Sequence, residues 1–191
     1  ELIDDPYYKI KLSGFAVFKD TKLLGYITDE IARGFNWIRN RIDSTAISVK
    51  DRNGQNISLE VVDSNTDVKP IISGGELESI KINIRFSTNI TGVTGTENIF
   101  EKDVLDFLKS QQEEVVRDEV KKVIEFAQKN NIDIFGICGI LHRKKPVYWR
   151  SMEDQWHELF PKINFIVEID SNINRTYDIK QPVRSGYGVE Q

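Results

Sequence analysis

Apolar and polar positions follow two different periods along this chain, and the places where the period changes divide it into elements. "FAVF" (15–18) predicts a short buried strand, "KDTK" a polar turn, and "LLGYIT" (23–28) the returning strand. Apolar residues then recur at helical spacing: Ile31, Phe35 and Ile38 on one face, with Trp37 and Ile42 flanking it. This predicts a helix over 29–42 capped by Thr28 or Asp29. Gly34 inside that helix costs about 1 kcal/mol against alanine, so close packing against another element is its expected reason.

From Ser44 the period becomes two. "TAISVKDRNGQNISLEVV" places Asn53-Gly54 between alternating segments, the pattern of a hairpin with a type I′ turn. "DVKPIIS" continues as strand, with Pro70 marking an edge or bulge, and Ser73-Gly74-Gly75 makes a turn. In "ESIKINIRFSTNIT", Ile80, Ile82, Ile84 and Phe86 point inward and polar residues outward, as in an antiparallel strand with one wet face. "TGVTGT" breaks it.

A long amphipathic helix follows over 97–131. Its face carries Phe100, Val104, Leu108, Val115, Val123 and Phe126, with a break expected near Ser110–Gln112, where that face turns polar. Asn130-Asn131 closes it as a C-cap. "DIFGICGIL" (133–141) reads as an apolar strand or helix start, and Pro146 and Trp149 begin the next helix. "SMEDQWHELF" continues helically through Met152, Trp156 and Leu159 until Pro161. Ile163, Phe165, Val167 and Ile169 alternate along a last strand. No repeated βαβ alternation appears. The order favours an α+β fold: a mostly antiparallel β-sheet packed against a long amphipathic helix and shorter helices. Residues 1–8 form a lead-in, 9–176 the domain, and 177–191 a polar, flexible tail.

Composition narrows the function. The 191 residues are 39% hydrophobic and 29% charged, with a net charge of −4, which argues against a general nucleic-acid binder. No run reaches the roughly 18 apolar residues of a membrane span, and no segment of these residues reads as a signal peptide. The chain starts at Glu1 without an initiator methionine and reads as an excised fragment.

Candidate chemistry is sparse. Cys138, the one cysteine, lies in apolar "GICGI" and reads as a small buried hydrophobe rather than a nucleophile beside His142 or His157. The two histidines are fifteen apart and lack metal-ligand spacing. Glu113-Glu114 and Asp118-Glu119 read as the solvated face of the long helix. The glycines match no phosphate-binding loop. His142, Arg143, Lys144 and Lys145, followed by Tyr148 and Trp149, could meet phosphates, anionic headgroups or an acidic partner. The alternative is a solvated helix end whose dipole favours cations. No catalytic site, metal or cofactor emerges.

Two segments carry a family resemblance. In "SGFAVFKDTKLLGYITDEIARGFNWI" the matching positions are Ala16, Val17, Phe18, Lys19, Lys22, Leu23, Gly25, Glu30 and Gly34. In the later segment they are Gln128, Lys129, Asp133, Gly136, His142, Arg143, Lys144, Pro146, Trp149, Trp156, Phe160 and Pro161. With these, the chain resembles, over roughly residues 7 to 176, the C-terminal domain of the Ger(x)C family, the lipoprotein C subunits of bacterial spore germinant receptors. It departs at the end of the last strand, where Arg175 and Thr176 are kept but Tyr177 replaces a glycine.

The resemblance implies a non-catalytic assembly or signalling domain. It implies membrane-embedded A and B subunits as partners, and a location on the outer face of the spore inner membrane. The anchor would be an N-terminal lipid absent from this fragment. Binding of a small germinant is the alternative. Asp133, Gly136, Pro146, Trp149, Trp156, Phe160 and Pro161 would be its structural signature, and His142–Lys145 its contact surface.

Overall fold

The structure, a computed structural model, describes residues 14–19, 21–94, 98–99 and 101–174. The lead-in, the tail, Phe100 and the departure at 175–177 lie outside them. Strands β1 (Gly14–Lys19) and β2 (Lys22–Thr28) form an antiparallel ribbon of their own. Helix α1 (Asp29–Ile38) follows. Strands β3 (Thr45–Lys50), β4 (Asn56–Ser73), β5 (Glu76–Val93) and β6 (Asn164–Asn174) form one sheet in that order. Helix α2 (Lys102–Lys129) crosses its face, and α3 (Ile137–Lys144), α4 (Pro146–Met152) and α5 (Trp156–Leu159) lead back to β6.

The fold is α+β as expected, and β3, β4 and β5 pair antiparallel. β5 and β6 pair parallel, from Ser79 opposite Asn164 to Asn89 opposite Asn174. Strand β5 is therefore antiparallel to one neighbour and parallel to the other. The chain between them is a single crossover carrying α2 to α5, which a parallel pair requires. The alternation seen in the sequence is the inner face of this sheet. Ile47, Ile57, Leu59, Ile80, Ile82 and Ile84 are buried there against Val104, Leu108, Val116, Val120 and Val123 of α2. Each such side chain contributes about 1.5–3 kcal/mol of transfer free energy.

Several local expectations are corrected. The Asn53-Gly54 turn is not type I′: only Gly54 takes a positive φ, 79°. The carboxylate of Asp51 accepts the N–H groups of Asn53 (2.9 Å) and Gln55 (2.7 Å), and the Gly54 N–H bonds back to the Asp51 carbonyl. That side-chain turn draws the loop into a three-residue form ending on a left-handed glycine. Positive φ at both central residues, 59° and 86°, occurs instead at Gly74-Gly75, between the paired Ser73 and Glu76. Pro70 lies where β4 has outrun β3 and pairs with β5 alone, so its missing N–H costs no ladder bond. Strand β5 also runs on through Gly92 to Val93 instead of breaking at Thr91.

Helix α1 stops at Ile38 rather than Ile42. Asn40 turns left-handed (φ 53°), and the Asn40 and Arg41 N–H groups bond to the carbonyls of Trp37 and Asn36. The same closure ends α2, with Asn131 at φ 51° and N–H bonds from Asn131 to Gln128 and from Ile132 to Ala127. Thr28 is the N-cap of α1 by position, without a side-chain bond. Helix α2 is unbroken at 110–112, because its polar residue there is buried with partners. Gln112 accepts from the Thr88 hydroxyl (2.8 Å) and donates to the Ser171 hydroxyl (2.8 Å). "SMEDQWHELF" is not one helix: a 3-10 turn, Glu153–Gln155, separates α4 from α5.

Candidate contact surfaces

Two features of the described residues stand apart from the packed body. The first is the outer face of the β1–β2 ribbon. "FAVF" is not a buried strand, since only Val17 of β1 is buried. Phe18 is 55% exposed and Tyr26 69%, and Leu23 and Leu24 are exposed to a lesser degree, 41% and 42%. The inner face is anchored, with Ile27 buried and the Phe15 ring meeting Phe35 of α1 edge-on at 5.1 Å. A ribbon with large apolar groups on both faces has one to pack and one to offer, and contiguous exposed apolar residues mark interaction sites. Apolar runs unrelieved by polar alternation at 15–18 and 23–24 are the sequence signal for it.

The second is the corner between α3 and α4. Gly136 precedes α3 at φ 74°, and a Cβ there would come within 3.3 Å of the Arg39 guanidinium, which donates to the Phe135 carbonyl (2.7 Å). The Asp133 carboxylate then accepts the N–H groups of Ile137 (2.9 Å) and Cys138 (2.7 Å), satisfying donors that a helix start leaves free. The apolar side of α3, Ile137 and Leu141, is buried. His142, Arg143 and Lys144 occupy its last turn, where cations suit the helix dipole, and Lys145 separates it from α4. All four are exposed. The Lys144 ammonium donates to the Val68 carbonyl at 3.4 Å.

Behind the corner an aromatic chain ties α4 and α5 to the sheet. Trp149 meets Trp156 edge-on at 5.5 Å, Trp156 meets Phe160 at 5.6 Å, and both Phe160 and Phe135 meet Phe165 of β6. The two tryptophans meet although they lie on separate short helices. Pro146 is exposed at the first position of α4, where its missing N–H costs nothing. Pro161 is half-buried and sits in the turn that releases the chain toward β6. Gln128 of α2 holds that segment by donating to the Ile163 carbonyl at 2.8 Å.

The candidate catalytic groups are not brought together. Cys138 is half-buried rather than buried, and burial, with the nearby Asp133 carboxylate second, pushes its thiol above the ordinary range. That is the opposite of an activated thiolate. His142 and His157 are both exposed, and the His157 imidazole lies 3.7 Å from the Glu158 carboxylate. No group of three metal-ligating residues is present among the described residues. The carboxylates of α2 are not all solvated. Glu119 is buried and takes a bidentate bond from Arg33 and another from the Trp37 indole at 3.1 Å, while Glu113 accepts from the Ser171 N–H and hydroxyl at 3.0 Å. Both are structural acceptors. A cleft of about 520 Å³ opens beside α1, with Ala32 and Ile42 at its base and Arg33, Asn36, Arg41 and Thr45 around it.

A mixed α+β domain of this topology, with its long crossover helix, has a counterpart among solved structures. The crystal structure of the GerBC protein matches with a TM-score of 0.72 and 25% identity, over 86% of this chain and 52% of that one. Spore germination protein B3 of Bacillus subtilis (strain 168) is 25% identical over 169 residues, 86% of this chain and 45% of that protein. The family described as spore germination B3/GerAC like, C-terminal, matches residues 13–177, and the chain belongs to it. The chain spans about half the length of these relatives.

Proposed function

We propose that this domain is a non-catalytic part of a nutrient germinant receptor, acting in receptor assembly or signalling at the spore inner membrane, with the membrane-embedded A and B subunits as partners. The observation that carries this reading is the apolar outer face of the β1–β2 ribbon, held by an inner face packed through Val17, Ile27 and Phe15 and left open to a partner. Family membership supports the spore context. The α3–α4 corner, with His142, Arg143, Lys144 and Lys145, is the second contact surface. The lipid anchor of the parent protein belongs to the same proposal.

The test is Tyr26→Asp, alone and with Phe18→Asp, in the full-length subunit. Both side chains are well exposed, so the fold is retained. Loss of co-purification with the A and B subunits, with slowed germination, is expected. Normal assembly and germination in the double variant would remove the ribbon from the interface and sink this reading.

The cleft beside α1 favours a second reading, a small-ligand site for a germinant. Calorimetry of the chain against a panel of amino acids and sugars decides it. Heat that disappears in Arg41→Ala is required, and silence across the panel ends it.

A further inference from the structure

The α3–α4 corner has a composition and shape that identify the chemistry of its partner. Six consecutive residues, His142 to Val147, are all exposed, although they span the last turn of one helix and the first position of the next. A helix lying on a body buries a residue every three or four positions. An uninterrupted exposed run means that the corner projects. At its tip Val147 is 78% exposed, the most of any large hydrophobic among the described residues. Flanking it in the sequence are Arg143, Lys144, Lys145 and Arg150, and no acidic residue occurs from Ile134 to Met152, in a chain whose net charge is −4.

These cations are mostly uncommitted. Lys144 leans on the Val68 carbonyl close to Asp67. Arg150 reaches only the Pro146 carbonyl, at 3.4 Å, and the Arg143 guanidinium lies over Gly139 of its own helix. Among the described residues no ion pair engages Arg143, Lys145 or Arg150. Tyr148 and Trp149, half-buried, stand just behind the tip.

We infer that this corner docks on an anionic lipid surface, with Val147 entering the headgroup region and Arg143, Lys145 and Arg150 meeting phosphates. Cations flanking a protruding apolar residue, with tyrosine and tryptophan at the boundary, form the pattern of interfacial binding. A convex tip suits a deformable bilayer, whereas an acidic protein partner would need a matching concavity. The inference deepens the contact-surface reading of His142–Lys145 and rests on it.

The 191-residue chain is sedimented with vesicles of pure phosphatidylcholine and of equal parts phosphatidylcholine and phosphatidylglycerol. Partition is expected only to the anionic vesicles, and it disappears at about 1 M salt, where the screening length is about 3 Å. Arg143→Ala, Lys145→Ala and Arg150→Ala each weaken it about fivefold, and Val147→Asp weakens it further. All four are exposed, and an unchanged melting temperature verifies the fold. No partition to anionic vesicles, equal partition to both, or a triple variant that partitions like the parent overturns the inference. If vesicles are ignored while Arg143→Glu with Lys145→Glu disrupts receptor assembly, the partner is an acidic protein and the lipid assignment is wrong. If vesicles bind but the ribbon variants assemble normally, the assembly reading fails and the lipid inference stands.

Discussion

Gly34 of α1 faces the Glu119 carbonyl of α2 so closely that a Cβ on Gly34 would stand 2.1 Å from that oxygen and 2.7 Å from its carbon. Both atoms belong to the α2 backbone and cannot turn aside, so the two helices would have to separate. Gly34→Ala gains about 1 kcal/mol of helix propensity and loses more to overpacking, which reaches about 3 kcal/mol. The expected net loss is about 2 kcal/mol, or roughly 4–8 °C in melting temperature for a domain of this size. Calorimetry showing an unchanged or raised transition would disprove the close approach.

One residue away, Arg33 and Glu119 form an unequal pair. The Glu119 side chain is 3% exposed and that of Arg33 32%. Arg33→Ala strands a buried carboxylate with only the Trp37 indole to bond, a loss on the order of 3 kcal/mol. Glu119→Gln leaves an acceptor for Trp37 and an arginine that water can reach, and costs about 1 kcal/mol. Urea unfolding should rank Arg33→Ala well below Glu119→Gln. The reverse order would show that the carboxylate is better hydrated than the structure has it.

Asp133 acts through its oxygen atoms as acceptors for the start of α3. Asp133→Ala should lower stability by about 1 kcal/mol, the usual effect of losing such a cap. Asp133→Asn keeps one acceptor and should lie near the parent in denaturant midpoint. An asparagine variant as unstable as the alanine one would assign the effect to charge instead of hydrogen bonding.

The Cys138 thiol should be sluggish. Burial, and after it the Asp133 carboxylate, disfavours the thiolate, so the folded-state value lies above the ordinary one. Reaction with a disulfide reagent should therefore be slow at neutral pH and accelerate only above the range in which free thiols react. Replacing Asp133 with asparagine removes a repelling charge and moves that rise to lower pH. A neutral-pH rate equal to that of a free thiol would contradict this environment.

Much of the fold was legible in the residue pattern because period and breakers are local signals. Ile80, Ile82, Ile84 and Phe86 could face one side only as a strand, and Asn130-Asn131 closed a helix as expected. The misreadings share a cause. Gln112 looked like part of a helix break and Glu119 like a solvated position, because polarity suggests exposure, yet each is buried against partners 24 to 86 residues distant in sequence. The Asn53-Gly54 turn took another form because Asp51, two residues upstream, supplied competing hydrogen bonds. The α1 stop at Asn40 was missed although asparagine is the residue that permits it.

By itself the sequence determined that this is an α+β domain, where its strands and long helix run, and which family it resembles, because hydrophobic period and short motifs are written along the chain. Only the tertiary structure decided that β6 pairs parallel to β5, that the ribbon presents Phe18 and Tyr26 to solvent, and that Glu119 is buried under Arg33. Each of these depends on which surfaces meet, and burial is a property of neighbours brought together by packing rather than of any residue's own hydrophobicity.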